Sequence, residues 1–221
     1  MFDTLLGLYE ILKWPTMQTL YMVALSTFFS ILMGLPLGVL LCVTSAEGLA
    51  PNLPVNQVVG RTVNVFRSFP FVILMIAVIP LTRLITGSSI GTTAAIVPLS
   101  IAAAPYVARI IESALKEVDP GTIQAAKVMG STDFTIMWKV MVPEALPALV
   151  AGVTLTIINL IGYSAMAGVI GGGGLGDVAI RYGYHRYQLD VLIGAVIVII
   201  IMVELIQITG TYLANSMIKK R

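Results

Sequence analysis

The sequence predicts an all-α membrane protein with five spanning helices, and three observations carry that expectation. Of 221 residues, 57% are hydrophobic and 11% charged, against roughly 45–50% and about 25% in soluble globular chains. The mean hydropathy is +0.96, an apolar surplus for which lipid is the natural solvent. The few charges are also clustered, so that long runs contain no Asp, Glu, Lys or Arg. The same composition excludes a disordered chain, a collagen-like fibre and a disulfide-rich scaffold, since Cys42 is the single cysteine. With 13 basic and 11 acidic residues, the chain has no charge excess that points to nucleic acid.

Taken in order, residues 2–12 read as a short amphipathic helix lying at the interface. They belong to an N-terminal segment, residues 1–15, in which Trp14 anchors and Pro15 breaks the chain before the first span. The segment lacks the basic start of a cleavable signal peptide. A bilayer needs about 20 apolar residues per helix. Residues 20–43, 84–108 and 145–176 meet that need outright and read as the first, third and fourth spans. The second, residues 58–82, becomes long enough only by keeping Arg67 in its first part. The fifth, residues 191–218, carries Glu204 near its middle. A central acid costs roughly 2.5–3.5 kcal/mol, while each Leu, Ile, Val or Phe contributes about −0.3 to −0.6, so the run at 191–203 offsets it.

Five spans put the termini on opposite sides. With the N-terminus outside, the inner face receives Arg61, Arg67, Arg109, Lys116, Lys127, Lys139, Lys219, Lys220 and Arg221. Lys13, Arg83, Arg181 and Arg186 remain outside. The positive-inside rule therefore predicts an outer N-terminus and a cytoplasmic C-terminus.

The largest inner segment then covers residues 112–143. Asp119 and Pro120 form an N-cap and a first-turn proline, and Gly130 ends that helix. Ser131, Thr132 and Asp133 supply a second cap, and Pro143 marks the start of the fourth span. Gln124-Ala125-Ala126, three residues, Gly130, nine residues, then Val140-Met141-Val142-Pro143 resembles the cytoplasmic signature of permease subunits of bacterial ABC importers. In that signature glutamate usually stands where this chain has Gln124, which keeps the length and hydrogen bonding but loses the charge.

The resemblance narrows to the methionine-import permeases through Arg67-Ser68-Phe69-Pro70-Phe71, Ala94-Ala95-Ile96-Val97-Pro98-Leu99, Pro143-Glu144-Ala145-Leu146-Pro147 and Gly162-Tyr163-Ser164-Ala165-Met166. It implies a single permease domain over residues 1–221, with the type I importer fold, in the bacterial cytoplasmic (inner) membrane. Residues 112–143 would hold the coupling helix that docks on an ATPase, with Asp119, Pro120, Gln124, Ala125, Ala126, Gly130 and Pro143 shaping it. The implied partners are a second copy of the chain, two ATPase subunits and an extracytoplasmic methionine-binding protein. ATP and Mg would be bound by the ATPase, because this chain lacks a phosphate loop: Gly171-Gly172-Gly173-Gly174-Leu175-Gly176 is followed by Asp177. No catalytic residue and no cofactor is expected here.

Within the fourth span, Tyr163, Ser164 and Met166 are candidates for the translocation pathway, because a ring and a thioether suit a thioether substrate. Packing or lipid-facing roles explain the same spacing. Glycines 171–174 read mainly as a helix stop, with an outer hinge as the alternative. Glu204 is an intramembrane acid without a motif, open to a structural partner or to ion coupling. His185, with Tyr182, Tyr184, Arg186 and Tyr187, reads as an interfacial belt or docking surface; no metal site is expected there. Competing functions are import of another amino acid or small polar solute, ion-coupled secondary transport through Glu204, and a purely structural membrane role.

Overall fold

A computed structural model describes residues 2–218. Helix α1 runs over Phe2–Thr44 without a break, passing through Pro15 and Pro36. The expected stop at Pro15 is therefore absent. Pro15 removes one ladder bond, but Leu12 is buried in a cluster with Leu175, Val178, Val191 and Ala195, so packing holds the helix straight across the proline. The Thr16 hydroxyl donates to Leu12 O at 2.7 Å beside the gap. Further along, Gly34 and Gly38 sit where a Cβ would lie 2.8 Å from Ala104 O and 2.6 Å from Ala108 O, respectively. The two glycines thus set the close approach of α1 to a central helix.

The chain turns back through a clamp in which Asn56 Nδ2 donates to Leu41 O at 2.8 Å and to Thr44 Oγ1 at 3.1 Å. Asn52 caps α2 (Leu53–Ser68) by accepting from Val55 N at 3.2 Å. The expected continuous second span is then interrupted. Phe69 is extended (φ −70°, ψ 127°), Pro70 follows, and α3 (Phe71–Ala77) leaves at 102° to α2. The cause is local: proline lacks the N–H that would continue the ladder and disfavours the helical region for the residue before it. Helix α4 (Ile79–Thr86) ends at Gly87, whose φ of +74° needs glycine. Leu84, expected at the start of the third span, belongs to α4, and that span begins at Thr92.

Helix α5 (Thr92–Lys116) is the central element. It extends past the expected end at residue 108 because its inner turns neutralise one another. Glu112 accepts from Arg109 at 2.6 Å and from Lys116 at 2.7 Å, while Arg109 also reaches Gly60 O and Asn64 Oδ1 on α2. Glu112 is thus a buried helix residue rather than the first residue of a loop. Helix α6 covers Pro120–Val128. Helix α7 follows as one helix over Asp133–Val169, 37 residues long, and Pro143 stands in the first turn of its regular part, Val142–Val169, as expected of the start of that span. The turns at Met137–Met141 are wound with the wider π geometry, and Val142 N donates to Met137 O. That register change sits where the proline interrupts ordinary helical bonding.

Helix α7 stops as expected near the glycine run. The run does more than stop it. Gly171, Gly173 and Gly174 have φ of +84°, +77° and +80°, and α1 fastens the turn. Gly174 N donates to Gln18 Oε1 at 3.0 Å and Leu175 N to Thr19 Oγ1 at 2.9 Å. A short helix α8 (Gly174–Val178) continues into a π turn, Ala179–Tyr184, where Asp177 and Arg181 pair. Helix α9 closes the described chain over Leu189–Ile218. Helices α1, α5, α7 and α9 are each long and apolar enough to cross a membrane; α2 and α3 qualify together as a bent pair. The core has one cluster around Met22, Phe71, Leu99, Leu160 and Ile161 and another, nearer α6, around Cys42, Ile111, Leu115, Ile136, Met137 and Met141.

Candidate functional site: a capped docking helix and a cavity beside the central span

Helix α6 is built from end signals. Asp119 accepts from Thr122 N at 3.0 Å and Pro120 occupies the first turn, where its missing N–H costs nothing. At the other end Gly130 N donates to Lys127 O at 3.0 Å and Ser131 N to Ala126 O at 3.1 Å. Those two bonds form a Schellman stop with Gly130 left-handed at φ +80°. No atom lies within 4 Å of where a Cβ would stand on Gly130, so glycine is required there by the backbone alone. Thr132 caps α7 by accepting from Thr135 N at 3.3 Å.

Ala126 is 3% exposed and packs in one core cluster with Leu115, Val118, Ile136 and Met141. Ala125 and Gln124 face outward. The small side chain at 126 lets α6 lie tight against the ends of α5 and α7, so a push on α6 is transmitted to both. Outside, Val128, Met129 and Phe134 are 89%, 78% and 75% exposed. Such apolar side chains grouped around Gly130 form an exposed patch of the kind used in protein–protein contacts. Reading the sequence found the caps and alanines but missed these three residues, because exposure of an apolar side chain has no sequence signal.

The pathway candidates separate. Tyr163 stacks on Phe71 of α3, ring centroids 4.7 Å apart and planes 3° apart. Both line a cavity of about 160 Å³ with Arg67, Phe69 and Tyr106. Ser164 is buried, and its hydroxyl donates to Ile161 O at 2.7 Å within α7, so it faces the bundle. Met166 lies on the outer surface of α7 and does not line that cavity. Arg67, expected in the first part of its span, is the fifteenth of sixteen residues in α2, about 21 Å along the helix from Leu53 at 1.5 Å per residue. Arg67 and Tyr106 were not candidates from sequence; the bend after Ser68 is what brings α2 and α3 around Tyr163. Glu204 is exposed at the middle of α9 and makes no hydrogen bond or ion pair among the described residues. In the turn before α9 Arg186 and Arg181 flank the Tyr182 ring, 4.6 and 5.4 Å from its centroid, and His185 meets Tyr184 edge-on.

A bundle of apolar helices with a capped, exposed helix between its second and third long helices has the architecture of a membrane permease component. The chain belongs to the family of binding-protein-dependent transport system inner membrane components, whose model matches residues 34–219. It is 53% identical over 206 residues to a probable D-methionine transport system permease protein of Vibrio cholerae, covering 93% of this chain and 92% of that one. It is 46% identical to the methionine import system permease protein of Bacillus subtilis, over 82% of each chain. Its fold matches a chain of the MetNI methionine ABC transporter in an inward-facing conformation, with a TM-score of 0.93 and 44% identity, covering 96% of this chain and 98% of that one. An amino acid ABC transporter solved with histidines shares the fold at a TM-score of 0.75 and 22% identity.

Proposed function

We propose that this chain is the permease subunit of an ATP-driven methionine importer of the inner membrane. The observation that carries the reading is α6: a helix capped at both ends, seated on the bundle through Ala126 and ringed on its open side by Val128, Met129 and Phe134. The identity to methionine permeases along nearly the whole chain supports the cargo. In this reading the whole chain is one domain, with α2 and α3 counted as one broken crossing to make five. The N-terminus lies outside and the C-terminus inside. With Arg67 moved away from the inner end, the basic residues still favour the cytoplasm, eight against four.

Two copies enclose the pathway, two ATPase subunits hold ATP and Mg and bind the two α6 surfaces, and an extracytoplasmic binding protein delivers methionine. ATP-driven movement of the ATPases displaces α6. Because Ala126, Ile136 and Met141 share one packed layer with Leu115, the displacement reaches α5 and α7 as a rigid-body shift rather than being absorbed locally. Tyr163, Ser164 and Met166 remain the proposed pathway set: Tyr163 faces the cavity, Ser164 steadies α7 from behind, and Met166 faces the second copy.

Reconstitution of the purified permease, ATPase and binding protein in proteoliposomes tests this. The expected result is methionine uptake that needs internal ATP and persists when ion gradients are collapsed. Uptake that follows the ion gradient without ATP overturns it in favour of ion coupling, and failure of unlabelled methionine to compete overturns the cargo.

A further inference from the structure

The cavity beside Tyr163 has a composition that its neighbours do not explain. It lies along the middle of α5, since Ala102 and Tyr106 are the eleventh and fifteenth of that helix's 25 residues. A helix of that length spans about 37 Å, against about 30 Å for the hydrocarbon core. Arg67, exposed on this chain, reaches its mouth from the end of α2. Among the described residues Arg67 has no hydrogen bond, no ion pair and no ring beneath it, and the lining contains no acid. A guanidinium carried beside the middle of a spanning helix without a protein partner marks a functional position by default.

The rest of the wall is aromatic. Phe71 and Tyr163 form the stacked pair, Phe66 and Phe69 are tilted toward one another with centroids 6.4 Å apart, and Tyr106 adds a second phenol. At about 160 Å³ the space takes a ligand of amino-acid size rather than one water, whose share of liquid volume is about 30 Å³. A lipid tail would leave Arg67 unpaired.

We propose that this cavity binds the transported amino acid as a zwitterion, one per copy of the chain. Arg67 holds the α-carboxylate through its planar fork. The two tyrosines receive the ammonium group through hydroxyl oxygens and ring faces. The thioether side chain lies against the phenylalanines, where sulfur and rings attract weakly. The bend after Ser68 is thereby part of the site: a straight second span would carry Phe71 away from Tyr163. This assignment rests on the reading of the chain as a methionine permease.

The test uses the complete permease–ATPase complex in nanodiscs, with radiolabelled methionine in equilibrium dialysis and methioninol, which lacks the carboxylate, as competitor. Arg67→Gln is expected to weaken methionine binding about tenfold or more. Arg67→Lys is expected to weaken it less, because charge survives without the fork. The decisive readout is selectivity: the preference for methionine over methioninol is expected to be tenfold or more in the parent and to vanish in Arg67→Gln. A preference unchanged by Arg67→Gln, or by Arg67→Lys where the glutamine variant does not assemble, overturns the site. Separation of the two copies by Arg67→Gln on size-exclusion chromatography also overturns it, by assigning the arginine to an acid of the second copy. The parent complex taking up no methionine in proteoliposomes refutes the transport reading instead, a measurement independent of Arg67.

Discussion

Replacing Gly130 by alanine isolates the contribution of one backbone conformation to coupling. The residue sits at φ +80°, and no atom lies within 4 Å of the position a Cβ would take. The methyl group therefore meets no steric obstacle, and the whole penalty is the left-handed backbone, about 1–2 kcal/mol for an L-residue. That strain is relieved by opening the two bonds that end α6, Gly130 N to Lys127 O and Ser131 N to Ala126 O. Opening them moves Val128 and Met129 relative to Phe134. If the ATPase binds only the closed form, its affinity falls by a factor of about 5–30. Titrating purified ATPase subunit onto the permease in nanodiscs measures this directly. Asparagine, which tolerates the left-handed region, is expected to lose less than alanine, and valine to lose most. The thermal stability of the membrane-spanning bundle is expected to change far less than docking, because a Cβ at Gly130 meets no atom of it within 4 Å. Parent-like docking by Gly130→Ala, or equal losses for asparagine and valine, refutes the role of the turn.

Three further outcomes follow from the same structure. Gly38→Val drives a side chain against Ala108 O and Ile111 of α5 and is expected to destabilise the bundle by about 3 kcal/mol, read as an earlier unfolding midpoint; Gly7→Val, where no neighbour lies within 4 Å, is its control. Phe134→Asp puts a charge into the exposed apolar surface beside α6 and is expected to reduce ATPase co-purification at least tenfold while the permease itself remains folded by circular dichroism. Glu204→Gln removes an acid with no partner among the described residues and is expected to leave ATP-driven methionine uptake within about twofold of the parent; a complete loss reinstates Glu204 as an ion-coupling site.

Part of this molecule is legible from composition and end signals alone. Apolar run lengths place the four long helices, because burying backbone in lipid forces helical bonding wherever the chain is apolar enough. Asp119, Pro120, Gly130 and Thr132 announce α6 and the start of α7 by purely local chemistry, and the structure makes each of those bonds. Local rules misjudge Pro15, where long-range packing carries the helix past a residue that usually ends one. They also miss the interruption of the second span, since a hydropathy window counts residues without knowing that the chain turns by 102° after Ser68. Pro70 signals a break but not its direction. The direction comes from Phe71 settling on Tyr163, ninety-two residues later in the chain. A contact between residues so far apart has no periodicity or spacing to reveal it. The helices and the turn at Gly130 therefore follow from neighbours along the chain, whereas the cavity, and the arginine at its mouth, exist only once four helices (α2, α3, α5 and α7) have packed.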